Sequence, residues 1–260
     1  MAFAPFDLTG KVALITGGNS GIGLGMAEGI AQAGGDVCIW GTNTAKNAAA
    51  VERLAGHGTK VSALRCDVSD ADAVAAAFSA TLDTHGRVDG CFANAGIGGR
   101  GVPFEQMPFD DWRRVMAVNL DGAYHTFRHA AGHMRQRSEA GNPGGRLIAT
   151  ASLAAISGQA RGEHYAATKG ALVSMIKALA VEYARHGVTA HTILPGWIET
   201  AMTAGSFGND KFVDNVMKRI PMRRWGAPED FAAIAVYIMS DASAYHTADT
   251  FLIDGGYHSF

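Results

Sequence analysis

The chain contains little cysteine: three residues in 260, at Cys38, Cys66 and Cys91. Each lies in or beside a short apolar stretch of the kind that forms a buried strand. Scattered, buried thiols are typical of a reducing compartment and argue against a disulfide framework. We therefore predict free, buried cysteines and a cytoplasmic location.

The chain also lacks an excess of charge and a long hydrophobic run. Its 22 basic and 24 acidic residues give a net charge of −2, which offers no basis for binding nucleic acid or an anionic membrane. Met1–Phe6 contains no charged leader, so no signal peptide is predicted. No segment approaches the length of an uninterrupted membrane span. The hydrophobic content of 48% is enough to bury a large core.

A glycine-rich turn near the start of the chain is the first motif that indicates a function. Lys11–Thr16 has the short apolar pattern of a buried strand and runs into Gly17-Gly18-Asn19-Ser20-Gly21-Ile22-Gly23. Leu24–Ala33, which follows, has helical composition. Such a unit binds a nucleotide pyrophosphate, because glycines let the phosphates approach the backbone and the helix end supplies free N–H groups. No Lys-Ser or Lys-Thr follows the turn, which excludes a P-loop.

Strand-like and helix-like segments alternate through the rest of the chain. The strand-like segments are Asp36–Trp40, Val61–Cys66, Val88–Ala93, Arg146–Ala151, Val188–Leu194 and Thr250–Ile253. The helix-like segments are Asp70–Thr84, Phe109–Arg137, Tyr165–Arg185 and Pro228–Ser240. This alternation predicts an α/β fold, a single doubly wound (Rossmann-type) parallel sheet with helices on both faces. We predict that residues 1–260 form one dinucleotide-binding domain.

A tyrosine and a lysine lie one helical turn apart, at Tyr165 and Lys169. Positions i and i+4 of a helix share a face, so the phenol and the ammonium can belong to one site. A nearby positive charge lowers the pKa of a phenol and makes it usable as an acid or base. Taken alone, the pair is better explained as a packing tyrosine beside a surface lysine, and its significance depends on the other motifs.

Ligands of a doubly wound sheet bind beyond the carboxyl ends of the strands. Several polar or glycine-containing positions directly follow predicted strands: Asp67, Asn94-Ala95-Gly96, Ser152 and Pro195-Gly196. We expect these positions to meet at one edge of the sheet, together with the glycine turn.

With these motifs the chain resembles a classical short-chain dehydrogenase/reductase over nearly its whole length. The segments similar to motifs of that family are Thr16–Gly23, Cys66–Val68, Ala93–Gly96, Pro195–Thr200 and Asp254–Gly256. Ala93 departs from the pattern, since an asparagine or aspartate is common there, but Asn94 is retained. The resemblance implies an NAD(P)-dependent oxidoreductase that transfers a hydride between the cofactor and a secondary alcohol or ketone.

The resemblance also assigns a catalytic tetrad: Asn119, Ser152, Tyr165 and Lys169. Tyr165 is the candidate general acid in reduction and general base in oxidation. Lys169 would lower the pKa of Tyr165 and hold the nicotinamide ribose, and Ser152 would hydrogen-bond the reacting oxygen. Asn119 would anchor a water that leads protons from Lys169 to solvent; as an alternative, its amide only caps or bends a helix.

The cofactor-binding positions implied by the resemblance extend over the whole strand edge. They are Gly17, Asn19, Ser20, Gly21, Ile22, Gly23, Thr42, Asp67, Val68, Asn94, Ala95, Gly96, Tyr165, Lys169, Pro195, Gly196, Ile198 and Thr200.

The choice between NAD and NADP is made just after the second strand. An acidic side chain at Gly41 would bind a free 2′-hydroxyl, and an arginine at Thr42 would attract a 2′-phosphate, but the chain has neither. Gly41 leaves room for the phosphate, which Thr42, Asn43 or Lys46 could contact. We therefore expect both cofactors to support activity, with a preference in kcat/KM under about a hundredfold.

The substrate-binding positions are expected at Ser152, Leu153, Gln159, Tyr165 and Trp197. The segment around 200–226 lies where the family has a substrate lid, and a plain connector is the alternative. The substrate stays open: a general alcohol or polyol, a 3-oxoacyl thioester carried by acyl-carrier protein, or a cyclic alcohol. Two readings of other classes are a catalytically silent nucleotide-sensing protein and a methyltransferase. The complete tetrad argues against the first, and the pair Tyr165 and Lys169 together with the segment Pro195–Thr200 argues against the second.

Three histidines, His125, His129 and His133, repeat every four residues along the predicted long helix. The outer two lie about 12 Å apart along a straight helix axis, so all three cannot converge on one ion. We predict no metal site, and we assign the histidines to an interface or an exposed stripe. By resemblance, the helices 109–137 and 165–185 and the C-terminal segment would form the interfaces of a homotetramer.

Overall fold

The computed structural model describes residues 4–260, and within them seven strands form one sheet. The strands are β1 Val12–Thr16, β2 Asp36–Gly41, β3 Val61–Arg65, β4 Gly90–Ala93, β5 Gly145–Thr150, β6 Val188–Pro195 and β7 Thr250–Ile253. All neighbouring pairs are parallel, in the order β3-β2-β1-β4-β5-β6-β7. The prediction of a doubly wound parallel sheet is confirmed.

Helices connect the strands and cover both faces of the sheet. They are α1 Gly21–Gln32, α2 Thr44–Ala55, α3 Ala71–His85, α4 Phe109–Met116, α5 Gly122–Glu139, α6 Glu163–Tyr183, α7 Ala204–Phe207, α8 Asp210–Met217 and α9 Ala232–Met239. Among residues 4–260, no helix is long and apolar enough to cross a membrane.

Successive side chains of β1 point to opposite faces of the sheet, and each face has its own core. Leu14 packs in a core with residues of α3, α5 and α6, including Phe127. Ile15, the next residue, packs in a second core with residues of α1, α2 and α9, including Ile30. A strand buried on both faces reads as a continuous apolar run, which explains the pattern at the start of the chain.

The strand order reverses beside β1, because β2 pairs with one of its edges and β4 with the other. The connections after β1 and β4 therefore run to opposite faces of the sheet. A crevice forms between them, beyond the carboxyl ends of these two strands. This crevice is where the glycine turn and the Asn94-Ala95-Gly96 segment meet.

The predicted helical stretch Phe109–Arg137 is continuous, but it is not α-helical throughout. A π-helical segment, Ala117–Asp121, separates α4 from α5. The Asn119 side chain within it pairs with the backbone of Ile97 on a neighbouring loop, with both its acceptor and its donor within 3.0 Å. The spacing of apolar residues in the sequence does not reveal the π-helical segment, because a π-helical turn adds only one residue to the helical repeat.

Two of the three histidines, His129 and His133, do not form an exposed stripe, because each ring is partly buried against Phe78 of α3. His129 stacks on Phe78 of α3 with ring centroids 5.7 Å apart, and His133 meets the same ring edge-on at 6.1 Å. His133 Nε2 also accepts a hydrogen bond from the Val88 backbone N–H at 3.3 Å. Both rings thus join α5 to α3 within one protomer.

The three cysteines are free and buried, as predicted. Burial raises the pKa of the Cys66 thiol to about 11, with the negative charges of Asp67 and Asp70 adding to the effect. Burial also raises the pKa of Cys38 and Cys91. These thiols are protonated at neutral pH and act as small apolar side chains.

The contact between α1 and the segment before α9 depends on glycine at position 25. A Cβ there would lie 2.1 Å from the Pro228 carbonyl oxygen, which is backbone and cannot rotate away.

We expect Gly25→Ala to lower the free energy of unfolding by about 1–3 kcal/mol through overpacking. Gly132→Ala in α5, where a Cβ meets nothing within 4 Å, is the control. It should be neutral or stabilising by up to about 1 kcal/mol. Chemical denaturation of the two variants measures the difference, and equal effects would contradict this packing.

Candidate active site

The glycine turn brings the backbone of β1 and α1 close to the loop after β4. Gly17 has a φ of +64°, and a Cβ on it would lie 3.1 Å from the Ala95 Cα. A Cβ on Gly23 would lie 2.4 Å from the Gly17 carbonyl oxygen. The turn therefore requires glycine at both positions: at 17 because the backbone has a positive φ, and at 23 because a side chain would collide with the backbone of Gly17.

The N-terminus of α1 has no side-chain cap. Ser20 lies at the N-cap position with extended backbone, but its side chain makes no capping hydrogen bond. By contrast, Asn43 caps α2 by accepting from the Lys46 N–H, and Asp70 caps α3. The first N–H groups of α1 face the cleft with the positive end of the helix dipole, so the turn fits a pyrophosphate.

Hydrogen bonds between Thr16 and the loop after β4 brace the two sides of this crevice. Thr16 Oγ1 accepts from the backbone N–H groups of Asn94 and Ala95, each at 3.0 Å. Asn94 Nδ2 donates to the Thr16 carbonyl oxygen at 3.0 Å. The glycine turn and the Asn94-Ala95-Gly96 segment are thereby held together as one unit.

A cleft of about 500 Å³ extends from this unit along the carboxyl edge of the sheet. Of the predicted tetrad, Ser152, Tyr165 and Lys169 line it. Ser152 lies just beyond β5, where its Oγ accepts from the Ala154 N–H at 3.1 Å. Tyr165 and Lys169 lie on the first turns of α6, and the Lys169 Nζ is 5.4 Å from the centroid of the Tyr165 ring.

Lys169 is only 3% exposed, and its ammonium donates to the Thr150 carbonyl oxygen at 2.7 Å. Because burial disfavours the charged form, the pKa of Lys169 falls to about 8. Burial raises the pKa of Tyr165, and a hydrogen bond with Ser152 opposes that rise. The net shift of the Tyr165 pKa is therefore upward, against the expectation of a decrease, because burial of the phenol dominates.

Asn119 does not line the cleft and lies directly behind it. Its Oδ1 accepts from the Ile97 N–H at 2.8 Å, and its Nδ2 donates to the Ile97 carbonyl at 3.0 Å and to Thr168 Oγ1 at 3.4 Å. A Cβ on Gly96 would lie 3.3 Å from Asn119 Oδ1 and 3.5 Å from Lys169 Nζ. Glycine at 96 therefore allows Asn119 and Lys169 to approach each other through the loop after β4.

The other end of the cleft lies beyond β2, where the space over Gly41 is not open. A Cβ on Gly41 would lie 2.2 Å from Asn19 Nδ2 and 2.6 Å from Asn47 Oδ1. The expectation that Gly41 leaves room for a phosphate is corrected: two asparagine side chains fill the space directly above this glycine. Thr42, Asn43 and Lys46 line the same end of the cleft.

Nearly all of the predicted cofactor-binding residues line this one cleft. The exception is Gly23, which is buried behind the turn that it shapes. The nicotinamide segment contributes Pro195, Gly196, Ile198 and Thr200. Gly196 donates its N–H to the Ile253 carbonyl at 2.9 Å, which ties the segment to β7.

The predicted substrate residues divide into two groups. Ser152 and Tyr165 line the cleft, whereas Leu153, Gln159 and Trp197 do not. Leu153 is buried. Trp197 packs edge-on against Phe212, with centroids 4.9 Å apart.

The structure adds lining residues that sequence reasoning missed. Thr150 ends β5 and Ala151 follows it, and both could have been found by the strand-end rule that found Ser152. Val118, which lies in the π-helical segment, lines the cleft as well, and no sequence signal indicates this.

Comparisons with known proteins agree with this geometry. A family model described as enoyl-(acyl carrier protein) reductase matches residues 17–258. The 3-oxoacyl-[acyl-carrier-protein] reductase of Chlamydia pneumoniae is 39% identical over 250 residues, covering 96% of this chain and 97% of that protein. The gluconate 5-dehydrogenase of Gluconobacter oxydans is 32% identical, covering 96% of each chain.

Among solved structures, a gluconate 5-dehydrogenase from Burkholderia cenocepacia in complex with NADP and tartrate has a TM-score of 0.92. It is 33% identical and covers 99% of this chain and 100% of its own. The chain belongs to the short-chain dehydrogenase/reductase family. It is an NAD(P)-dependent oxidoreductase that acts on CH–OH groups of a small-molecule substrate.

The buried ammonium of Lys169 should make stability depend on pH. Its pKa is about 8 in the folded chain against an ordinary value of 10.5, so between these values the unfolded chain binds a proton that the folded chain does not. The free energy of unfolding should therefore rise with pH in this window for wild type relative to Lys169→Met. Urea denaturation of both proteins at several pH values from 7 to about 10.5 measures the difference. A difference that is flat across this window would contradict the burial of a charged lysine.

Proposed function

We propose that this short-chain dehydrogenase/reductase interconverts a secondary alcohol and a ketone with Tyr165 as the general acid and base. One observation carries the proposal: Ser152, Tyr165 and Lys169 line the same cleft as the glycine turn. A pyrophosphate at the turn therefore leaves the far end of the cofactor beside these three side chains.

The nicotinamide supplies or accepts the hydride, and the protein must handle the matching proton. Burial raises the pKa of Tyr165, which keeps its phenol protonated and makes it a donor to the carbonyl oxygen in reduction. Ser152 Oγ donates to the same oxygen and holds it near Tyr165. The Lys169 ammonium lies beside the Tyr165 ring and stabilises the phenolate left after the proton has moved.

The segment around 200–226 forms a lid over the substrate end of this cleft. Met202 and Thr203, at its start, line the cleft. Further along, Phe207 stacks on Trp225 with ring centroids 4.2 Å apart, so the two ends of the segment pack on each other.

Of the substrate classes that the sequence leaves open, the relatives described above support two, and a cyclic alcohol stays open as the third. A gluconate 5-dehydrogenase is among the similar proteins, which supports a small polyhydroxylated alcohol or ketone. The 39% identity to a 3-oxoacyl-[acyl-carrier-protein] reductase supports a 3-oxoacyl thioester as the second candidate. An assay of turnover on a panel of compounds distinguishes them, with the absorbance of the reduced nicotinamide as the readout. The panel contains sugar acids, simple and cyclic alcohols, and 3-oxoacyl thioesters. No turnover on any member would favour a catalytically silent nucleotide-binding protein.

Replacing Tyr165 by phenylalanine should abolish turnover while leaving cofactor affinity close to wild type. The ring and its packing remain, but the proton donor is lost, which typically reduces the rate by about 10²–10⁴-fold. Tyr183→Phe, on the same helix, is the matched control and should keep the wild-type rate. The measurements are kcat on the best substrate and the cofactor Kd. A Tyr165→Phe variant that retains more than about a tenth of the wild-type rate would rule out the proposed role.

A cytoplasmic homotetramer is the assembly that we propose. Phe109 and Tyr124 on α4 and α5 and Val181 on α6 are exposed large apolar side chains. Phe260 at the C-terminus is exposed as well. These two regions supply separate self-complementary patches, as a closed tetramer requires. Light scattering at micromolar concentration should give about four times the 27.2 kDa of one chain. A monomer mass would contradict the assembly.

A further inference from the structure

The first turn of α6 carries Tyr165 but has no side-chain cap. The helix begins at Glu163, and Gly162 at the N-cap position supplies no side-chain hydrogen bond to the turn. The first N–H groups of a helix lack partners within it, so an uncapped first turn opens readily unless another element holds it. Lys169, one turn further along, is held by Thr150. The turn that contains Tyr165 needs an anchor of its own.

His164, the residue before Tyr165, supplies a contact with α4. Its side chain is only 1% exposed, and its Nε2 lies 3.3 Å from Oδ2 of Asp111. Adjacent residues of a helix point about 100° apart, so the imidazole can face α4 while the phenol faces the cleft. Tyr165 lines the cleft and His164 does not. A pair of buried polar groups thus joins the turn of Tyr165 to α4.

The Asp111 carboxylate is itself held by two other donors. Its Oδ1 accepts from the Arg114 guanidinium at 2.7 Å, and its Oδ2 accepts from the Arg100 backbone N–H at 3.0 Å. The hydrogen bond from Arg114 is the main reason that the pKa of Asp111 falls to about 2, and the bond from Arg100 adds to it. An ionised carboxylate only accepts hydrogen bonds, so His164 must donate its Nε2–H. Asp111 therefore joins α4, the loop after β4 and α6.

The loop after β4 also packs directly against the imidazole ring. A Cβ on Gly99 would lie 1.7 Å from His164 Nε2 and 2.0 Å from its Cε1, whereas a Cβ on Gly98 would meet nothing within 4 Å. Among residues 4–260, the other ring nitrogen of His164, Nδ1, is buried without a hydrogen-bond partner. Asp111 is therefore the polar group that fixes the orientation of this ring.

We propose that His164 is a positioning residue for the reaction: its hydrogen bond to the buried Asp111 fixes the first turn of α6 and so holds the Tyr165 phenol in place at the reacting oxygen. The proposal rests on the assignment of Tyr165 as the general acid and base. A displacement of about 1 Å of a reacting group can cost about a hundredfold in rate, so one such anchor has a measurable effect. His164 lies outside the cleft and exchanges no proton with the substrate.

Two amide side chains of different reach test the role of the Nε2–H group. Glutamine extends as far as Nε2 of histidine and asparagine only as far as Nδ1, so His164→Gln restores the donor to Asp111 and His164→Asn does not. His164→Asn should lower kcat about ten- to a hundredfold and leave the cofactor Kd within about twofold of wild type. His164→Gln should keep kcat within about threefold of wild type. Neither amide titrates, so a role of His164 in proton transfer would be lost in both variants.

Gly99→Ala tests the same contact without changing His164. The added methyl group takes the place of the ring nitrogen and displaces the ring from Asp111, so kcat should fall about as far as in His164→Asn. Gly98→Ala, on the same loop, is the matched control and should keep the wild-type kcat. Hydrogen–deuterium exchange in residues 163–168 should become faster in Gly99→Ala and His164→Asn, and stay at the wild-type rate in Gly98→Ala and His164→Gln.

The double variant His164→Asn/Tyr165→Phe separates positioning from a general loss of structure. If His164 acts through the phenol, this variant has the same kcat as Tyr165→Phe alone. Three results would overturn the proposal: equal losses of kcat in His164→Asn and His164→Gln, a kcat of Gly99→Ala within about twofold of wild type, or a further loss in the double variant. The Gly99→Ala arm decides the matter even if His164→Asn does not fold.

Failure of the proposed function gives a different result. If Tyr165→Phe keeps the wild-type rate, the assignment of Tyr165 is wrong and the catalytic part of the proposal is overturned with it. The exchange rates of the four single variants at His164, Gly98 and Gly99 do not depend on turnover. They therefore decide separately whether His164 anchors the first turn of α6.

Discussion

The burial of one positive charge is the constraint on which the catalytic end of the cleft depends. Lys169 is nearly inaccessible, and its ammonium is held by the Thr150 carbonyl at the end of β5. A buried ammonium is costly unless it is hydrogen-bonded, so α6 and β5 must keep their relative positions for Lys169 to remain charged. The same positions bring Tyr165 of α6 and Ser152, just beyond β5, to one cleft. The hydrogen bond from Lys169 to Thr150 therefore holds α6 against β5 and also keeps the catalytic side chains together.

The opposite end of the cleft is organised by hydrogen bonds rather than by charge. Thr16 and Asn94 join the glycine turn to the loop after β4, and the uncapped start of α1 faces the space between them. Further along, Asn47 uses its buried amide to orient Asn19. The turn thus suits an anion, and beyond it the Asn19 amide is held in one orientation by its hydrogen bond to Asn47.

Much of the fold and of the site was predictable from the sequence for identifiable reasons. Buried parallel strands are apolar on both faces, so they can be recognised in the sequence as continuous apolar runs such as Lys11–Thr16. Residues that directly follow such strands must meet at one edge of the sheet. Ser152, Asn94 and Pro195 were placed correctly at the cleft by this rule. The π-helical segment before α5 was not predictable, because the pairing of Asn119 with Ile97 joins residues distant in sequence.

What the sequence by itself determined is the identity of the groups: a glycine turn that accepts phosphate, a phenol and an ammonium one helical turn apart, and the order of strands that brings them together. Only the tertiary structure decided how these groups are oriented. Burial, which the sequence does not report, raises the pKa of Tyr165 where proximity to Lys169 alone predicts a decrease. The space above Gly41 looks empty in the sequence because glycine has no side chain. It is filled by Asn19 and Asn47, whose contact arises only when α2 folds back beside the turn.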